Sequence, residues 1–290
     1  MVSVGIIGVG NWGKNLLRVF DKLSTVKWTA YKESKETERW IKEHYPAVRI
    51  TREYSEILND KTVDAVIIST PISTHYKIAK DALAAGKHVF VEKPLALNKN
   101  EVKELYDLAR KKKLVLFVGY IFLYHPCYIE LKKLVGNDAP VMIETDWKKY
   151  GSFGESIFQN LAVHDWTLVY DLTGNPPDSF VMKTKKGVKT DADIISLSLE
   201  SKKYNATINI DRVSKKKEKR VTVKTRSGKE FVWKDNTILV SEKSRLKPIF
   251  RNEKEPLQEE VAAFLSCIKE GVSPDDADSN IFIAKLSEKF

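Results

Sequence analysis

Two side chains in this sequence combine a residue type and a position that suit proton chemistry. Lys93 follows a short apolar run, His88–Val91, that predicts a buried parallel strand. Ligands bind beyond the carboxyl ends of such strands, which favours a functional lysine over a surface lysine. His164 lies in a predicted helix, and imidazole exchanges a proton near neutral pH. We predict both as catalytic residues, with a purely structural histidine as the alternative.

Asn160 is a third candidate because of its spacing from His164. In the predicted helix Ser156–Leu172, positions four apart lie on one face, so the two side chains should be neighbours. The amide of Asn160 can orient a hydroxyl group, but it carries no charge to stabilise a protonated imidazole. We predict an orienting role for Asn160 and expect the adjacent Asp165 to anchor the helix.

A glycine-rich loop, Gly8–Gly13, joins a predicted strand at Ser3–Ile7 to a helix pattern. In that position the first glycine allows a tight turn, the second lets the backbone approach a diphosphate, and the third lets helix and strand pack closely. The unpaired N–H groups at the helix start would bind the diphosphate. The residues assigned to a dinucleotide are Gly8, Gly10, Asn11, Trp12 and Gly13. Helix packing is an equal alternative for Trp12.

The identity of the dinucleotide depends on residues after the second predicted strand, Val26–Tyr31. Glu33 is the carboxylate placed to hold the adenosine ribose hydroxyls, and it would repel an extra 2′-phosphate, which favours NAD. Lys32, Ser34 and Lys35 are residue types that bind that phosphate, which favours NADP. The predicted cofactor is therefore NAD or NADP, and an exposed position at a helix start is the alternative for Glu33.

The elements that must position these residues form two sets. In residues 1–120, apolar runs such as Val63–Ser69 alternate with helical patterns such as Glu101–Lys112, which predicts parallel strands joined by helical crossovers. From Asp178 to Val240 the runs alternate apolar with polar residues, as antiparallel strands with one covered face do. The predicted fold class is α/β, with a doubly wound parallel sheet over 1–120. An α+β domain with a large, mostly antiparallel open sheet is predicted over 121–290.

Composition argues against several classes of protein. The net charge is +10, but the basic residues form separate groups without interleaved aromatic rings, so Lys215–Arg220 is predicted as a solvated turn and no nucleic acid partner is expected. No apolar run has the ~20 residues that span a bilayer, and no signal peptide is evident. Cys127 and Cys267 suggest neither a disulfide framework nor a metal site. A cytoplasmic protein without a metal or a membrane contact is expected.

Two further motifs connect the sequence to a known family. The first is Thr70–His75 (TPISTH), and the second is Ala85–Pro94 (AGKHVFVEKP). With the glycine loop, they resemble the Gfo/Idh/MocA family of oxidoreductases, and the resemblance covers nearly the whole chain. It implies a Rossmann domain and a nicotinamide cofactor. The further residues that it places at the cofactor are Thr70, Pro71, His75, Glu92 and Lys93. Helix packing for His75 and an ion pair for Glu92 are the alternatives.

The resemblance also implies roles in catalysis. In the family, the lysine of the second motif binds the reacting hydroxyl and helps to lower its pKa, and the histidine matching His164 acts as acid or base. The family usually has Asp where this chain has Asn160, a departure that bears on catalytic competence. The runs Tyr120–Pro126 and Phe158–Asp165 look most like members that act on nucleotide-linked sugars. The predicted substrate contacts are Lys93, Tyr120, His125, Asn160 and His164.

These observations lead to one principal hypothesis and two alternatives. The principal one is an NAD(P)-dependent enzyme that oxidises a secondary alcohol of a sugar or reduces the ketone. The first alternative is a non-redox sugar enzyme in which transient oxidation assists the reaction, without net change in the cofactor. The second is a dinucleotide-binding regulator that has lost catalysis, which the neutral Asn160 favours.

Association into a homodimer or homotetramer is expected through the C-terminal sheet. That sheet has two faces but one evident helical layer, so the other face should be buried against a second subunit, as in relatives of the family. The apolar residues that mark the sheet as amphipathic are Ile194, Leu197, Leu199, Ile208, Ile210, Val221 and Val223.

Overall fold

The computed structural model describes residues 1–31, 34–151, 153–242, 245–274 and 276–288. The chain divides into two compact units, each with its own sheet. The first unit contains residues 1–120 together with 257–288, and the second contains Ile121–Pro256. No helix in these described ranges is both long and apolar enough to cross a membrane.

The first unit is built on a six-stranded sheet with the order β3-β2-β1-β4-β5-β6. All neighbouring strands are parallel, as the alternation of strands and helices predicts. Its strands are β1 (Ser3–Ile7), β2 (Thr25–Ala30), β3 (Arg49–Thr51), β4 (Ala65–Ile68), β5 (His88–Glu92) and β6 (Leu116–Gly119). Its helices are α1 (Asn11–Leu23), α2 (Lys35–His44), α3 (Tyr54–Asn59), α4 (His75–Ala84), α5 (Lys99–Lys112), α8 (Pro256–Glu270) and α9 (Ala277–Ser287).

The assignment of α8 and α9 corrects the predicted domain boundary, which placed everything after residue 120 in the second domain. The Phe264 ring of α8 lies 5.6 Å from that of Phe90 and 5.5 Å from that of Phe117, inside an aromatic cluster that Phe20 completes. On α9, Asn280 accepts a hydrogen bond from the hydroxyl of Tyr120 at 2.7 Å. The apolar side of the C-terminal helices therefore packs on the first sheet, and residues 257–288 belong to that unit.

The second unit is an eight-stranded sheet with the order β14-β13-β12-β11-β7-β10-β9-β8. The pair β7 and β10 is parallel, and every other neighbouring pair is antiparallel. Its strands are β7 (Pro140–Lys148), β8 (Ser179–Lys186), β9 (Ile194–Glu200), β10 (Asn205–Asp211), β11 (Glu218–Thr225), β12 (Glu230–Lys234), β13 (Thr237–Glu242) and β14 (Arg245–Arg251). Its helices are α6 (Pro126–Val135) and α7 (Val163–Thr173).

The two faces of this sheet differ in chemistry. Alternate residues such as Leu197, Ile208 and Val221 are fully buried inside the unit. The residues between them on the strands are polar and partly exposed, such as Ser196 and Asn209, whose side chains are 2.7 Å apart. The sheet therefore has one apolar, covered face and one polar face, as the alternation in the sequence predicts.

Two edge strands were not predicted from the sequence. β14 contains Pro248, which lacks the N–H that a central strand needs but is tolerated at a sheet edge. β3 has three residues, too few for a periodic pattern to show. Both pair with a single neighbour, where sequence constraints are weakest.

Candidate active site

The glycine loop follows β1 and turns beneath the end of β4. Gly8 has a φ of +97°, and a Cβ there would lie 2.6 Å from the carbonyl oxygen of Ser69, so the position requires glycine. The N–H of Gly8 donates to the carbonyl of Ala30 at 2.8 Å, and the Ser69 hydroxyl donates to the carbonyl of Gly8 at 2.6 Å. The loop is thus fixed to both neighbouring strands.

The start of α1 fits a diphosphate. A Cβ at Gly13 would lie 2.1 Å from the carbonyl oxygen of Gly8, so the third glycine allows the helix to begin close to the strand. Gly10 is exposed, and its Cβ position has no neighbouring atom within 4 Å. No side chain caps the helix, and no acidic residue lies in its first turn. The N–H of Lys14 already donates to the carbonyl of Gly10, so an anion would meet the N–H groups of Asn11, Trp12 and Gly13, and the predicted dinucleotide fits the residues present.

Trp12 connects the glycine loop to the end of β5. Its ring is 40% exposed, and its indole N–H donates to Oε1 of Glu92 at 2.5 Å. Helix packing, the alternative considered for Trp12, therefore does not describe its position. Removal of the Glu92 carboxyl from water raises its pKa to about 7, although the Trp12 hydrogen bond and the Lys93 charge act in the opposite direction.

Lys93 lies at the carboxyl end of β5, as predicted, and is half-buried. The peptide bond from Lys93 to Pro94 is cis. Next to this strand end, β6 finishes at Gly119, where a Cβ would lie 3.2 Å from Oε1 of Glu92. The end of β5 thus brings a carboxyl group and an ammonium group to the same edge of the sheet as the glycine loop.

His75 is buried behind this edge of the sheet and contacts two of its turns. The side chain is 1% exposed, with Nδ1 2.9 Å from the carbonyl oxygen of Pro94 and Nε2 2.8 Å from that of Thr70. Thr70 in turn shares a hydrogen bond of 2.6 Å with Thr74, in the turn that begins at Pro71. The ring therefore connects the Thr70–His75 motif to the Ala85–Pro94 motif. This position agrees with the alternative role of His75 in helix packing.

The predicted ribose contact lies outside the described residues. This applies to Glu33 and to Lys32, one of the residues that favours a 2′-phosphate. Ser34 is described, and its hydroxyl accepts a hydrogen bond from the N–H of Thr37 at 3.1 Å, so it caps α2. Lys35 begins α2 and is exposed.

The second unit holds His164 in an aromatic setting. The imidazole is 7% exposed and lies edge-on to two rings, 5.1 Å from Phe122 and 5.6 Å from Trp147. Lys219 lies against the same rings, 5.0 Å from Phe122 and 4.4 Å from Trp147. Its ammonium also pairs with the carboxylate of the fully buried Asp165.

The ion pair of Asp165 and Lys219 fixes the start of α7 to β11. Burial raises the pKa of Asp165, and the Lys219 charge opposes that effect. Asp165 anchors the helix, as expected, but its partner was missed because Lys219 belongs to the basic run Lys215–Arg220. The structure corrects the interpretation of that run as a solvated turn, because Lys219 lies in a strand and is 8% exposed.

Asn160 lies in a π-helical turn, Phe158–Ala162, rather than in a continuous α-helix. The N–H of Val163 donates to the carbonyl of Phe158, five residues earlier. A turn of this kind has more residues than an α-helical turn, so the angular offset between Asn160 and His164 differs from that in a regular α-helix. Such turns are frequent at functional sites.

Tyr120 and His125, two predicted substrate contacts, are both buried and make contacts within their own units. Tyr120 is 2% exposed, and its hydroxyl bonds to Asn280 within the first unit. His125 caps α6 by accepting from the N–H of Cys127 at 3.2 Å, and its ring is tilted against that of Trp233 with the ring centres 4.7 Å apart. Burial lowers the pKa of His125 to about 4, so the ring is neutral at neutral pH. Tyr120 is thus part of the packing of the first unit, and His125 caps a helix of the second.

Among the residues that the structure describes, no three His, Cys, Asp or Glu side chains lie close enough together to hold a metal ion. Lys93 in the first unit and His164 in the second stay predicted catalytic residues, as does Asn160, four residues before His164.

The first unit is similar in sequence to known oxidoreductases. Residues 2–120 match the sequence profile of an oxidoreductase family with an NAD-binding Rossmann fold. UDP-N-acetylglucosamine 3-dehydrogenase from Acidithiobacillus ferrooxidans is 37% identical over 40% of this chain and 37% of its own length. Inositol 2-dehydrogenase from Paracoccus denitrificans is 30% identical over 59% of this chain and 52% of its own. The chain spans about half or less of the length of the curated relatives it matches.

Similarity of fold extends further than similarity of sequence. A crystal structure of UDP-N-acetylglucosamine 3-dehydrogenase from A. ferrooxidans aligns with a TM-score of 0.90, over 99% of this chain and 95% of that one. The sequence identity in this alignment is 23%, so the likeness concerns the fold. It confirms the predicted fold class.

Proposed function

Because the Rossmann domain of this chain, residues 2–120, belongs to the Gfo/Idh/MocA family of NAD-binding oxidoreductases, we propose that the protein oxidises a secondary alcohol of a sugar, or reduces the corresponding ketone. The observation that carries this proposal is the edge of the first sheet. There an uncapped helix start at Gly10 lies beside the strand end that presents Lys93. The helix start suits a diphosphate, and Lys93 suits a reacting hydroxyl.

A nicotinamide dinucleotide, when bound, supplies the hydride acceptor or donor for this reaction. The residues that would hold it are those of the glycine loop, with Gly10 leaving room for the diphosphate and the N–H groups of Asn11 and Trp12 facing it. NAD and NADP both remain compatible with this proposal, since the loop recognises the part that they share.

The chain itself moves one proton. In oxidation, His164 accepts the proton of the substrate hydroxyl at a ring nitrogen, and the ammonium group of Lys93 stabilises the negative charge that develops on oxygen. In reduction, protonated His164 returns the proton to the same oxygen. The amide of Asn160 orients a sugar hydroxyl. Phe122 and Trp147 hold the imidazole edge-on and limit its contact with water.

The substrate class proposed is a nucleotide-linked sugar. The runs Tyr120–Pro126 and Phe158–Asp165 support it, together with the similarity to a UDP-N-acetylglucosamine 3-dehydrogenase. The test is a panel of nucleotide sugars and free sugars, assayed by NADH or NADPH fluorescence with each cofactor. Turnover confined to free sugars would contradict the nucleotide-linked class. Dinucleotide binding without turnover on any of them would favour the regulator, the second candidate, for which Asn160 is the supporting observation.

Replacing Gly10 with valine should abolish measurable binding of the dinucleotide without unfolding the protein. The new side chain would occupy the open space over the start of α1, where no atom lies within 4 Å of the Cβ position. The measurement is calorimetric titration with NAD and NADP, together with a thermal melt. Gly154→Val is the control, because Gly154 also has an open Cβ position but lies in the second unit. Unchanged affinity in the Gly10 variant would remove the glycine loop from the proposal.

We also propose that the polar face of the second sheet joins two copies of the chain. Of the apolar residues considered for association, Ile194 is half-buried and lies on the same face of its strand as Ser196, and the other six lie on the covered face, buried within the unit. On the opposite face, the side chains of Ser196, Thr207 and Asn209 are partly exposed. This broad, mixed polar surface is the part of the unit suited to a second subunit.

Light scattering at micromolar concentration should give at least twice the chain mass of 33.1 kDa. Thr207→Arg should lower that mass, because Thr207 pairs with Glu144 and Ser198 at the centre of the polar face. A monomer mass for the wild-type protein would contradict the proposed assembly.

A further inference from the structure

Lys219 lies on the covered, apolar face of the second sheet, where a charged side chain is unusual. Val221 and Val223, the next two residues on that side of β11, are fully buried and belong to an apolar core that includes Leu168 of α7. Lys219 itself is buried, and its ammonium forms an ion pair with the carboxylate of the fully buried Asp165. Two charged groups therefore occupy a place where the pattern of the strand leads to apolar packing.

The stability of the fold does not account for this ion pair. The attraction between two buried charges roughly offsets the loss of their hydration, and apolar side chains of similar volume often stabilise a protein as well or better. An ion pair differs from such side chains because its contact has a direction, so each charged group has a defined place. The pair of Lys219 and Asp165 is therefore better suited to fixing a position than to adding stability.

The position that it fixes is against two aromatic rings. Trp147 is directly opposite Lys219 on the neighbouring antiparallel strand β7, so the two side chains lie on the same face of the sheet. The Lys219 Nζ is 4.4 Å from the ring centre of Trp147 and 5.0 Å from that of Phe122, both within the range of a cation–π interaction. The two rings are nearly perpendicular, with their centres 5.3 Å apart. One ammonium group thus stabilises the arrangement of both rings.

The same two rings contact His164. The imidazole centre is 5.1 Å from that of Phe122 and 5.6 Å from that of Trp147, with angles of 83° and 64° between the ring planes. His164 also directly precedes Asp165 in the chain. Lys219 therefore acts on the place of the imidazole in two ways, through the rings that it contacts and through the helix residue that it binds.

We propose that Lys219 is a positioning residue for His164: its ammonium, bound by Asp165 and by the rings of Phe122 and Trp147, holds the imidazole in the orientation that proton transfer requires. The statement about proton transfer rests on the proposed function, whereas the statement about the orientation of the imidazole does not. In this proposal Lys219 contacts neither substrate nor cofactor and carries no proton of the reaction.

The combined variant Asp165→Asn, Lys219→Met tests the proposal without leaving a buried charge. A single change would leave the other charge without its partner, which is strongly destabilising, whereas two neutral side chains of similar volume should keep the stability close to that of wild type. Denaturant unfolding measures this. The matched control is Asp171→Asn, Lys132→Met, which removes a partly exposed ion pair of 2.9 Å between the same helix, α7, and α6.

Proton NMR of the imidazole groups reports the orientation of His164 without substrate or cofactor. The signals of His164 are those that disappear in His164→Ala, and ring currents of Phe122 and Trp147 displace them from the values of free histidine. In the Asp165→Asn, Lys219→Met variant they should move towards those values, because the two rings are no longer held by the ammonium group. The control variant should keep the wild-type signals. Wild-type signals in the Asp165→Asn, Lys219→Met variant would overturn the proposal.

Steady-state kinetics test the consequence for the reaction. The Asp165→Asn, Lys219→Met variant should lose up to about 10²-fold in kcat, the cost of a displacement of about 1 Å in a reacting group. KM and dinucleotide affinity should stay at the wild-type values, because the change affects the proton transfer and not the binding of the substrate. The control variant should keep the wild-type kcat. A wild-type kcat in the Asp165→Asn, Lys219→Met variant, or a change confined to KM, would overturn the positioning role.

A second variant covers the case in which Asp165→Asn, Lys219→Met does not fold. Asp165→Leu, Lys219→Leu replaces the ion pair with an apolar pair, a change that proteins often tolerate without loss of stability. It should displace the His164 signals and lower kcat in the same way, and wild-type values of either would overturn the proposal. Absence of turnover by the wild-type protein on every sugar, with the NMR results as expected, would count against the proposed function alone.

Discussion

Replacing Lys93 with methionine should lower turnover of the true substrate by about 10²–10⁴-fold while leaving dinucleotide binding in place. Methionine keeps much of the length and volume of lysine but cannot carry a charge, so the alkoxide that forms on the substrate oxygen loses its stabilising partner. The loss should be in kcat, since the interaction strengthens as charge develops. Steady-state kinetics and calorimetric titration of the dinucleotide measure the two effects separately.

A matched control is Lys103→Met, which removes the same charge from an exposed position on α5 of the same unit. It should retain wild-type turnover and affinity. If Lys93→Met turns over at the wild-type rate, the reacting hydroxyl is not at the end of β5. If it loses dinucleotide affinity as well as turnover, Lys93 belongs to the cofactor site rather than to the proton chemistry.

The second large effect is expected at His164. Alanine removes the group that accepts the hydroxyl proton, so turnover should fall by about 10²–10⁴-fold, again with dinucleotide binding retained. His44→Ala, at an exposed position on α2, is the control. Because Lys93 and His164 are proposed to act on one hydroxyl, the double variant should lose less than the product of the single losses. Near wild-type turnover in both single variants would favour the regulator.

Asn160→Asp, in the same experiment, should preserve activity and move the lower limb of the pH profile for oxidation to higher pH. A carboxylate near an imidazole favours the protonated form, and the base in oxidation is the neutral form. An unchanged profile would show that the π-helical turn holds residue 160 away from the imidazole of His164.

The sequence was informative wherever an interaction is local. Apolar runs such as Val63–Ser69 predicted buried parallel strands, in this case β4, and the spacing of glycines in Gly8–Gly13 predicted the close approach of α1 to β1. Both predictions depend on residues within one or two neighbouring elements. The prediction that Lys93 lies at a strand end is also local, because it depends on the apolar run just before it.

Interactions between distant parts of the chain could not be predicted in this way. The amphipathic pattern of α8 shows that one face is buried but not on which sheet, so residues 257–288 were assigned to the wrong unit. The ion pair of Asp165 and Lys219 joins positions 54 residues apart, and nothing in the basic run 215–220 distinguishes the buried lysine from its neighbours. The π-helical turn at Asn160 adds one residue to one turn, a change too small for hydrophobic periodicity to reveal.

The return of α8 and α9 to the first sheet has a consequence for biosynthesis. Phe20, Phe90 and Phe117 have been made long before Phe264 leaves the ribosome, so the aromatic cluster that they share cannot close until then. The second unit, Ile121–Pro256, is complete in the nascent chain before that moment. Translation therefore allows the second unit to fold first, and the dinucleotide-binding unit reaches its final packing last, across a long loop whose closure slows folding.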